Sequence, residues 1–181
     1  SAVNKARMQT AFTVSIEAKK GITTGISAFD RAKTIKVAIK ENSKKKDIVS
    51  PGHVFPLVAR NGGVLERAGH TEASVDISKL ANLNPSSVIC EVMNEDGRMA
   101  RLDDLLKFAK KHSLKIASIE DLISYRLKNE KFVNNISNKE IKIKKIGFLK
   151  LAIYKNKLDG LEHYAVSKGK FNSKKSTRVR V

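Results

Sequence analysis

The sequence TAFTVSIEAKKGITTGISAFDRAKTIKVAIK, residues 10–40, joins a strand pattern to a helix pattern and decides the class of fold. From Thr10 to Ala18, apolar residues alternate with polar ones, which is the period of a half-buried strand. Ser27, with Asp30 three positions later, predicts a capped helix that continues to Lys40. A strand that leads into a helix is the repeating unit of α/β proteins, so this stretch favours that class.

The alternation of strand and helix continues along the chain. Strand patterns lie at residues 73–77, 88–93 and 114–117, and helical patterns lie at 102–109 and 118–129. Together they predict a layered α/β (α+β) body, in which helices flank a mixed or parallel sheet.

The organisation changes in the last third of the chain. We predict a body over residues 1–129, a polar linker over 130–145 and a short β-rich extension over 146–181. Within the extension, two strand patterns flank the turn signal Asp159-Gly160.

The charge of the chain raises the possibility of a nucleic-acid-binding protein. The 181 residues contain 36 Lys and Arg against 18 Asp and Glu, a net charge of +18. Residues 1–130 contribute 22 positive and 15 negative charges, whereas residues 131–181 contribute 14 and 3. Aromatic residues make up only 6%, and none is interleaved with the basic clusters to form a stacking platform. We therefore expect no specific nucleic-acid partner, although this class of binding protein is kept as the alternative.

Two further features bound the class of protein. No apolar run approaches the ~20 residues that cross a bilayer, so we expect no membrane association. The single cysteine, Cys90, excludes an internal disulfide and a cysteine-built zinc site, and a cytoplasmic location is the simple expectation.

Glycine and proline punctuate residues 51–72 and predict that this stretch is largely loop. His53 lies in a constrained turn, which suits proton transfer, although a surface histidine is the alternative. In the sequence GGVLERAGHTE, residues 62–72, Arg67 could grip a phosphate and Thr71 could donate a hydroxyl to it. His70 could bind a divalent metal if carboxylates complete the site.

Glu91 lies in the predicted strand at residues 88–93. A carboxylate desolvated there could act as general acid and base, and the alternative is that its face of the sheet is simply wet. We expect its neighbour Cys90 to be a small buried residue and not a nucleophile.

Together these residues resemble 3,4-dihydroxy-2-butanone 4-phosphate synthase, an enzyme of riboflavin biosynthesis. The matching blocks occur in order over residues 1 to about 128: TAFTVSI at 10–16, residues 21–31, PGHVFPL at 51–57, RAGHT at 67–71, CE at 90–91 and NEDG at 94–97. The resemblance implies a lyase that converts D-ribulose 5-phosphate to 3,4-dihydroxy-2-butanone 4-phosphate and formate with Mg²⁺ or Mn²⁺. It also implies a homodimer whose active sites lie at the subunit interface.

The resemblance assigns roles to individual residues. It implies that His53 and Glu91 are catalytic and that His70 binds the metal. It also implies that the substrate is bound by Glu91 and by the five residues Arg67, Ala68, Gly69, His70 and Thr71.

Two departures from the family shape further expectations. Members carry an acidic loop near the N-terminus, whereas residues 1–10 contain no carboxylate, so we expect the chain to begin within the domain and to be catalytically incomplete alone. Residues 146–181 resemble the start of GTP cyclohydrolase II, without its zinc-binding cysteines. We expect no second activity in this chain, and a non-catalytic assembly role for the basic tail stays open.

Overall fold

The computed structural model describes residues 10–171 and 176–181, and the chain divides into two compact units, Ser1–Ser124 and Tyr125–Val181. The strands are β1 (Ala11–Phe12), β2 (Ile16–Ala18), β3 (Ile48–Val54), β4 (Leu57–Val58), β5 (Val133–Ile143), β6 (Gly147–Asn156) and β7 (Glu162–Ser167). The helices are α1 (Ala28–Ala38), α2 (His70–Leu80), α3 (Leu102–Lys111) and α4 (Ile119–Asn129), with 3₁₀ turns at Lys45–Asp47 and Gly63–Leu65. None of the helices in the described ranges is long and apolar enough to cross a membrane.

The first unit is built from short antiparallel strand pairs and helices. Strand β1 pairs with β4, and β2 pairs with β3 across a register shift between Ile16 and Glu17. Helix α1 is joined to β2 by a buried hydrogen bond from the Ala18 amide to the Thr34 hydroxyl, 3.0 Å long. Ala18 and Thr34 are almost fully buried, so this contact lies in the core. The predicted combination of helices and sheets is confirmed, and the strands form small antiparallel sheets.

Helix α1 begins as the sequence predicts. The Ser27 hydroxyl accepts a hydrogen bond from the Asp30 amide at 3.1 Å. The Asp30 carboxylate in turn accepts hydrogen bonds from the Thr23 hydroxyl at 2.8 Å and from the Gly25 amide at 3.0 Å. One carboxylate therefore ties the loop before α1 to the helix.

Three predictions for the first unit are wrong. Residues 73–77, predicted as a strand, lie inside α2. Residues 88–93 and 114–117, also predicted as strands, form none, and most of their large apolar side chains are exposed. A strand needs hydrogen bonds from a neighbouring strand, and among the described residues only the single bridge between Met93 and Met99 touches either segment.

Residues 51–72 contain more regular structure than the predicted loop. They include the end of β3, all of β4 and the first turn of α2. Helices α3 and α4 match their predictions closely, and the Ser118 hydroxyl accepts the Asp121 amide at 3.0 Å at the start of α4.

The second unit is a three-stranded antiparallel sheet in the order β5-β6-β7. Residues 130–145, predicted as a polar linker, contain the whole of β5, which pairs with β6 along its length. The cross-strand pair of Ile141 and Leu149 helps to explain this correction, because ladder hydrogen bonds and side-chain pairs with a neighbouring strand stabilise a strand whose own sequence is mostly polar. Strands β6 and β7 match their predictions, and the boundaries of the predicted domains stay a prediction.

Candidate functional site

Five of the six predicted substrate-binding residues, those at positions 67–71, lie at or just before the N-terminus of α2. Gly69 occupies the N-cap position with an extended backbone and makes no side-chain capping bond, and His70 is the first residue of the helix. The first intrahelical bond is donated by Ala73 to the Gly69 carbonyl, 2.9 Å away. The amides of His70, Thr71 and Glu72 therefore have no intrahelical acceptor and point out of the helix start, where the helix dipole favours an anion. His70 is exposed, whereas Thr71 is buried.

Arg67 is held in place at this helix start by a buried carboxylate. Its guanidinium donates a hydrogen bond to Glu72, whose side chain is 1% exposed, and a second to the Thr10 hydroxyl at 3.1 Å. The other Glu72 oxygen accepts the Arg60 amide at 3.1 Å. Gly69 lies against this pair, since a Cβ added there would stand 2.7 Å from a Glu72 oxygen. The sequence RAGHTE therefore folds around one buried ion pair.

A second buried carboxylate supports the turn before α2. The Asp76 carboxylate accepts the Val64 amide at 2.8 Å, and both residues are at most 3% exposed. Neither Glu72 nor Asp76 is among the candidates from sequence. Their spacing of four residues, which places both on one helix face, is the signal that could have identified them.

His53 lies on β3 and is hydrogen bonded to Glu17 on β2. Its Nδ1 is 2.7 Å from Glu17 Oε1, and the exposed fractions of the two side chains are 42% for His53 and 14% for Glu17. Sequence reasoning missed Glu17, because these residues meet only when the two strands pair.

One short segment touches both parts of the candidate site. Thr10 accepts a hydrogen bond from Arg67, and Glu17 accepts one from His53. An extended chain of seven residues spans at most about 25 Å, so Thr10 and Glu17 are no farther apart than that. The histidine of β3 and the arginine before α2 are thus tethered to opposite ends of the same stretch.

Glu91 is placed differently from its prediction. It lies in an irregular segment and is exposed, so burial does not prepare it for acid–base chemistry. The segment that contains Glu91 is nevertheless bonded to α2 through Ser87, four residues earlier. The Ser87 hydroxyl donates to the Ser74 carbonyl at 2.9 Å and lies 2.7 Å from the Ser78 hydroxyl. Cys90, predicted to be buried, is also exposed. The convergence of Glu91 with Arg67 and His70 on one substrate stays a prediction.

The described residues do not assemble a metal site by themselves. Over residues 10–171 and 176–181, no group of three or more His, Cys, Asp or Glu side chains could hold a metal ion. His70 is thus a single predicted ligand, and Mg²⁺ requires a larger set of oxygen donors.

The sequence profile and the related proteins that match this chain indicate the same family. The sequence profile of 3,4-dihydroxy-2-butanone 4-phosphate synthase matches residues 1–125. The riboflavin biosynthesis protein RibBA of Aquifex aeolicus (strain VF5) is 54% identical over 174 residues, which cover 95% of this chain and 43% of that protein.

Solved structures agree with the profile. RibBX, a two-domain 3,4-dihydroxy-2-butanone 4-phosphate synthase from A. baumannii, superposes with a TM-score of 0.78 at 47% identity, covering 93% of this chain and 49% of that one. A 3,4-dihydroxy-2-butanone 4-phosphate synthase in complex with two magnesium ions has a TM-score of 0.64 at 35% identity, covering 71% of this chain and 65% of that one. The chain spans less than half of the RibBA and RibBX chains. Because the profile covers most of the chain and the identities are high, the chain belongs to the 3,4-dihydroxy-2-butanone 4-phosphate synthase family.

Proposed function

We propose that the protein converts D-ribulose 5-phosphate to 3,4-dihydroxy-2-butanone 4-phosphate and formate in riboflavin biosynthesis. Family membership supports this proposal, and the observation that carries it is the open N-terminus of α2, beside Arg67. An enzyme acting on a sugar phosphate needs an anion site and groups that move protons, and this chain offers candidates for each.

The phosphate end of the substrate binds at residues 67–71. A glycine N-cap leaves the first amides of α2 available as donors, whereas α1 fills the same position with the Ser27 hydroxyl. The Arg67 guanidinium is held beside these amides by Glu72, and in this proposal it also contacts the phosphate. Ala68 and Gly69 present backbone, and Thr71 contributes its amide and hydroxyl. The absence of a capping side chain at Gly69 therefore leaves room for a ligand to act as the cap.

His53 and Glu91 move the protons in this proposal. Enolisation of a ketose phosphate removes a proton from carbon and returns one to oxygen, and the imidazole of His53 and the carboxylate of Glu91 are suited to these transfers. Both side chains are exposed, so a bound substrate can reach them. In this proposal, Glu91 transfers protons by direct contact with the substrate, and its role does not depend on burial of its carboxylate.

A divalent ion and a second subunit belong to the same proposal. The relative solved with two magnesium ions supports the use of a divalent metal, to which His70 offers one ligand. The remaining ligands are not assembled by the described residues, so no step is assigned to the ion. Assembly as a homodimer, the absence of a nucleic-acid partner and a cytoplasmic location stay predictions.

The test is formate release from D-ribulose 5-phosphate by the full-length protein, with Mg²⁺ supplied. We expect Glu91→Gln to lower turnover by at least ~100-fold, since a positioned acid–base group contributes about 10²–10⁴. Because Glu91 is exposed, the variant should keep the fold. Glu95→Gln, at an exposed glutamate four residues away, is the matched control and should retain normal turnover. Near-normal formate release by Glu91→Gln would remove Glu91 from the mechanism, and no release by the wild type would remove the function.

A further inference from the structure

The side chains of Glu17 on β2 and His53 on β3 form a close contact. Glu17 Oε1 lies 2.7 Å from His53 Nδ1, which is a short, charge-assisted geometry. A carboxylate can only accept a hydrogen bond, so the shared proton belongs to Nδ1. The ring nitrogen left for other chemistry is therefore Nε2.

The Glu17 side chain passes close to two glycines, Gly25 and Gly52. A Cβ added at Gly25 would stand 2.7 Å from Glu17 Oε2, and a Cβ added at Gly52 would stand 2.6 Å from Glu17 Cβ. Only glycine leaves room for the side chain on both sides. The Glu17 side chain can therefore occupy the position in which Oε1 meets His53 Nδ1.

The strands around the contact are also fixed. The register of β2 and β3 shifts between Ile16 and Glu17, next to the contact. The Ser15 hydroxyl accepts the Gly52 amide at 3.1 Å, and the Ser50 hydroxyl donates to the Ser15 carbonyl at 2.7 Å. These bonds set the position of the His53 backbone relative to Glu17. Both the imidazole and its partner are thus placed by the strand pair before any substrate binds.

We propose that Glu17 is a positioning residue that fixes His53 as the Nδ1–H tautomer and directs Nε2 to the substrate. This inference rests on the proposed function, in which His53 moves protons. When Nε2 takes a proton, the new N–H bond forms as the substrate bond to hydrogen breaks, and the substrate keeps the electron pair. The imidazolium that results is stabilised by the Glu17 carboxylate until Nε2 returns the proton. A carboxylate that orients a histidine in this way acts on tautomer and direction without touching the substrate.

The first test reads the tautomer directly. Long-range ¹H–¹⁵N spectra of the ¹⁵N-labelled protein are recorded at about pH 9, above the ordinary imidazole pKa of about 6.5. The His53 signals are assigned by their loss in His53→Asn. We expect a protonated Nδ1 and a bare Nε2 in the wild type. A mixture of tautomers should appear in Glu17→Gln and Glu17→Ala, because neither an amide nor water imposes one direction on the hydrogen bond.

The second test separates positioning from binding. Glu17→Gln, which keeps the shape of the side chain, should lower kcat for formate release on the order of 10–100-fold while KM stays within about twofold. Glu41→Gln, at an exposed glutamate in the loop after α1, is the matched control and should change neither constant. Amide spectra of each variant verify the fold.

The outcomes distinguish this inference from the function on which it rests. A wild-type His53 that carries its proton on Nε2, or a tautomer unchanged by both Glu17 substitutions, would overturn the positioning role even if formate is released. A KM increase equal to the fall in kcat/KM would also overturn it, since Glu17 would then act in binding. Absence of wild-type formate release would instead refute the proposed function, while the tautomer of His53 would still be measured.

Discussion

Arg67 donates a hydrogen bond to the buried carboxylate of Glu72, so the guanidinium expected to hold a phosphate is also a structural group. The charge of Arg67 compensates a carboxylate that is 1% exposed. Phosphate binding and the stability of the loop before α2 therefore depend on the same side chain. This dual role changes what a substitution at Arg67 can be expected to do.

Arg67→Ala should destabilise the first unit. Removing one partner of a buried pair leaves an uncompensated charge, which costs roughly 3–5 kcal/mol. Arg98→Ala is the matched control, because Arg98 and Asp96 form an exposed pair 3.7 Å apart, and such pairs contribute at most about 1 kcal/mol. Urea unfolding of both variants measures the difference. Equal losses of stability would show that the burial of Glu72 carries no energetic weight.

Gly69→Ala should disturb the same pair without removing a charge. Its Cβ would stand 2.7 Å from a Glu72 oxygen and closer still to the Arg67 guanidinium, so both side chains must move. Overpacking of this kind costs about 1–3 kcal/mol. Unfolding in urea measures the loss, and Asn61→Ala, at an exposed position of the preceding loop, is the control expected to change little. A Gly69→Ala protein as stable as the wild type would mean that the loop relaxes around the added methyl group.

The parts of the fold that could be predicted from sequence are those with local causes. Ser27 and Ser118 predict the starts of helices α1 and α4, because the hydroxyl of each serine caps the helix that follows it. The strands predicted at residues 88–93 and 114–117 are absent from the structure. Their absence could not be predicted, because a strand needs a partner strand that its own sequence does not specify. Strand β5 shows the converse, since polar residues become a strand beside the apolar β6.

The residues of the candidate site likewise differ in whether a local sequence pattern indicates them. Arg67 and His70 could be proposed as candidates because arginine, glycine and histidine occur together in one short motif, and their roles stay a prediction. Glu17 could not, because 36 residues separate it from His53 and only the pairing of β2 with β3 brings them together. Glu91 could be proposed from its residue type, but its exposure could not be predicted, because that depends on whether a neighbouring strand pairs with the segment.

Gly160→Ala should weaken the hairpin of the second unit. Gly160 has a φ of +74°, and its amide donates to the Asn156 carbonyl at 3.0 Å in the turn between β6 and β7. A residue with a Cβ pays roughly 1–2 kcal/mol of conformational free energy in this left-handed region of the backbone. Gly160→Asn is the control, because asparagine tolerates a positive φ better than alanine, so its loss should be smaller. Hydrogen exchange of the β6 and β7 amides reads the effect, and equal protection in the two variants would contradict this account.

Asp30 should make the stability of the first unit depend on pH. The Thr23 hydroxyl, as the largest cause, holds the pKa of Asp30 below its ordinary value of 3.8, and the backbone amides of Thr23 and Gly25 act in the same direction against the opposing effect of burial. Because the folded-state pKa is lower than the unfolded one, the carboxylate stabilises the fold above about pH 4. That contribution is lost as the pH falls through the folded-state pKa.

Asp30→Asn removes this titration, so its stability relative to the wild type is the quantity to measure. At pH 7 the variant should unfold at a lower urea concentration than the wild type, and the gap between the two midpoints should narrow as the pH is lowered toward 3. Asp103→Asn, at an exposed aspartate on α3, is the control expected to show a smaller gap at pH 7. A gap between wild type and Asp30→Asn that stays constant from pH 7 to pH 3 would show that the Asp30 charge does not stabilise the loop before α1.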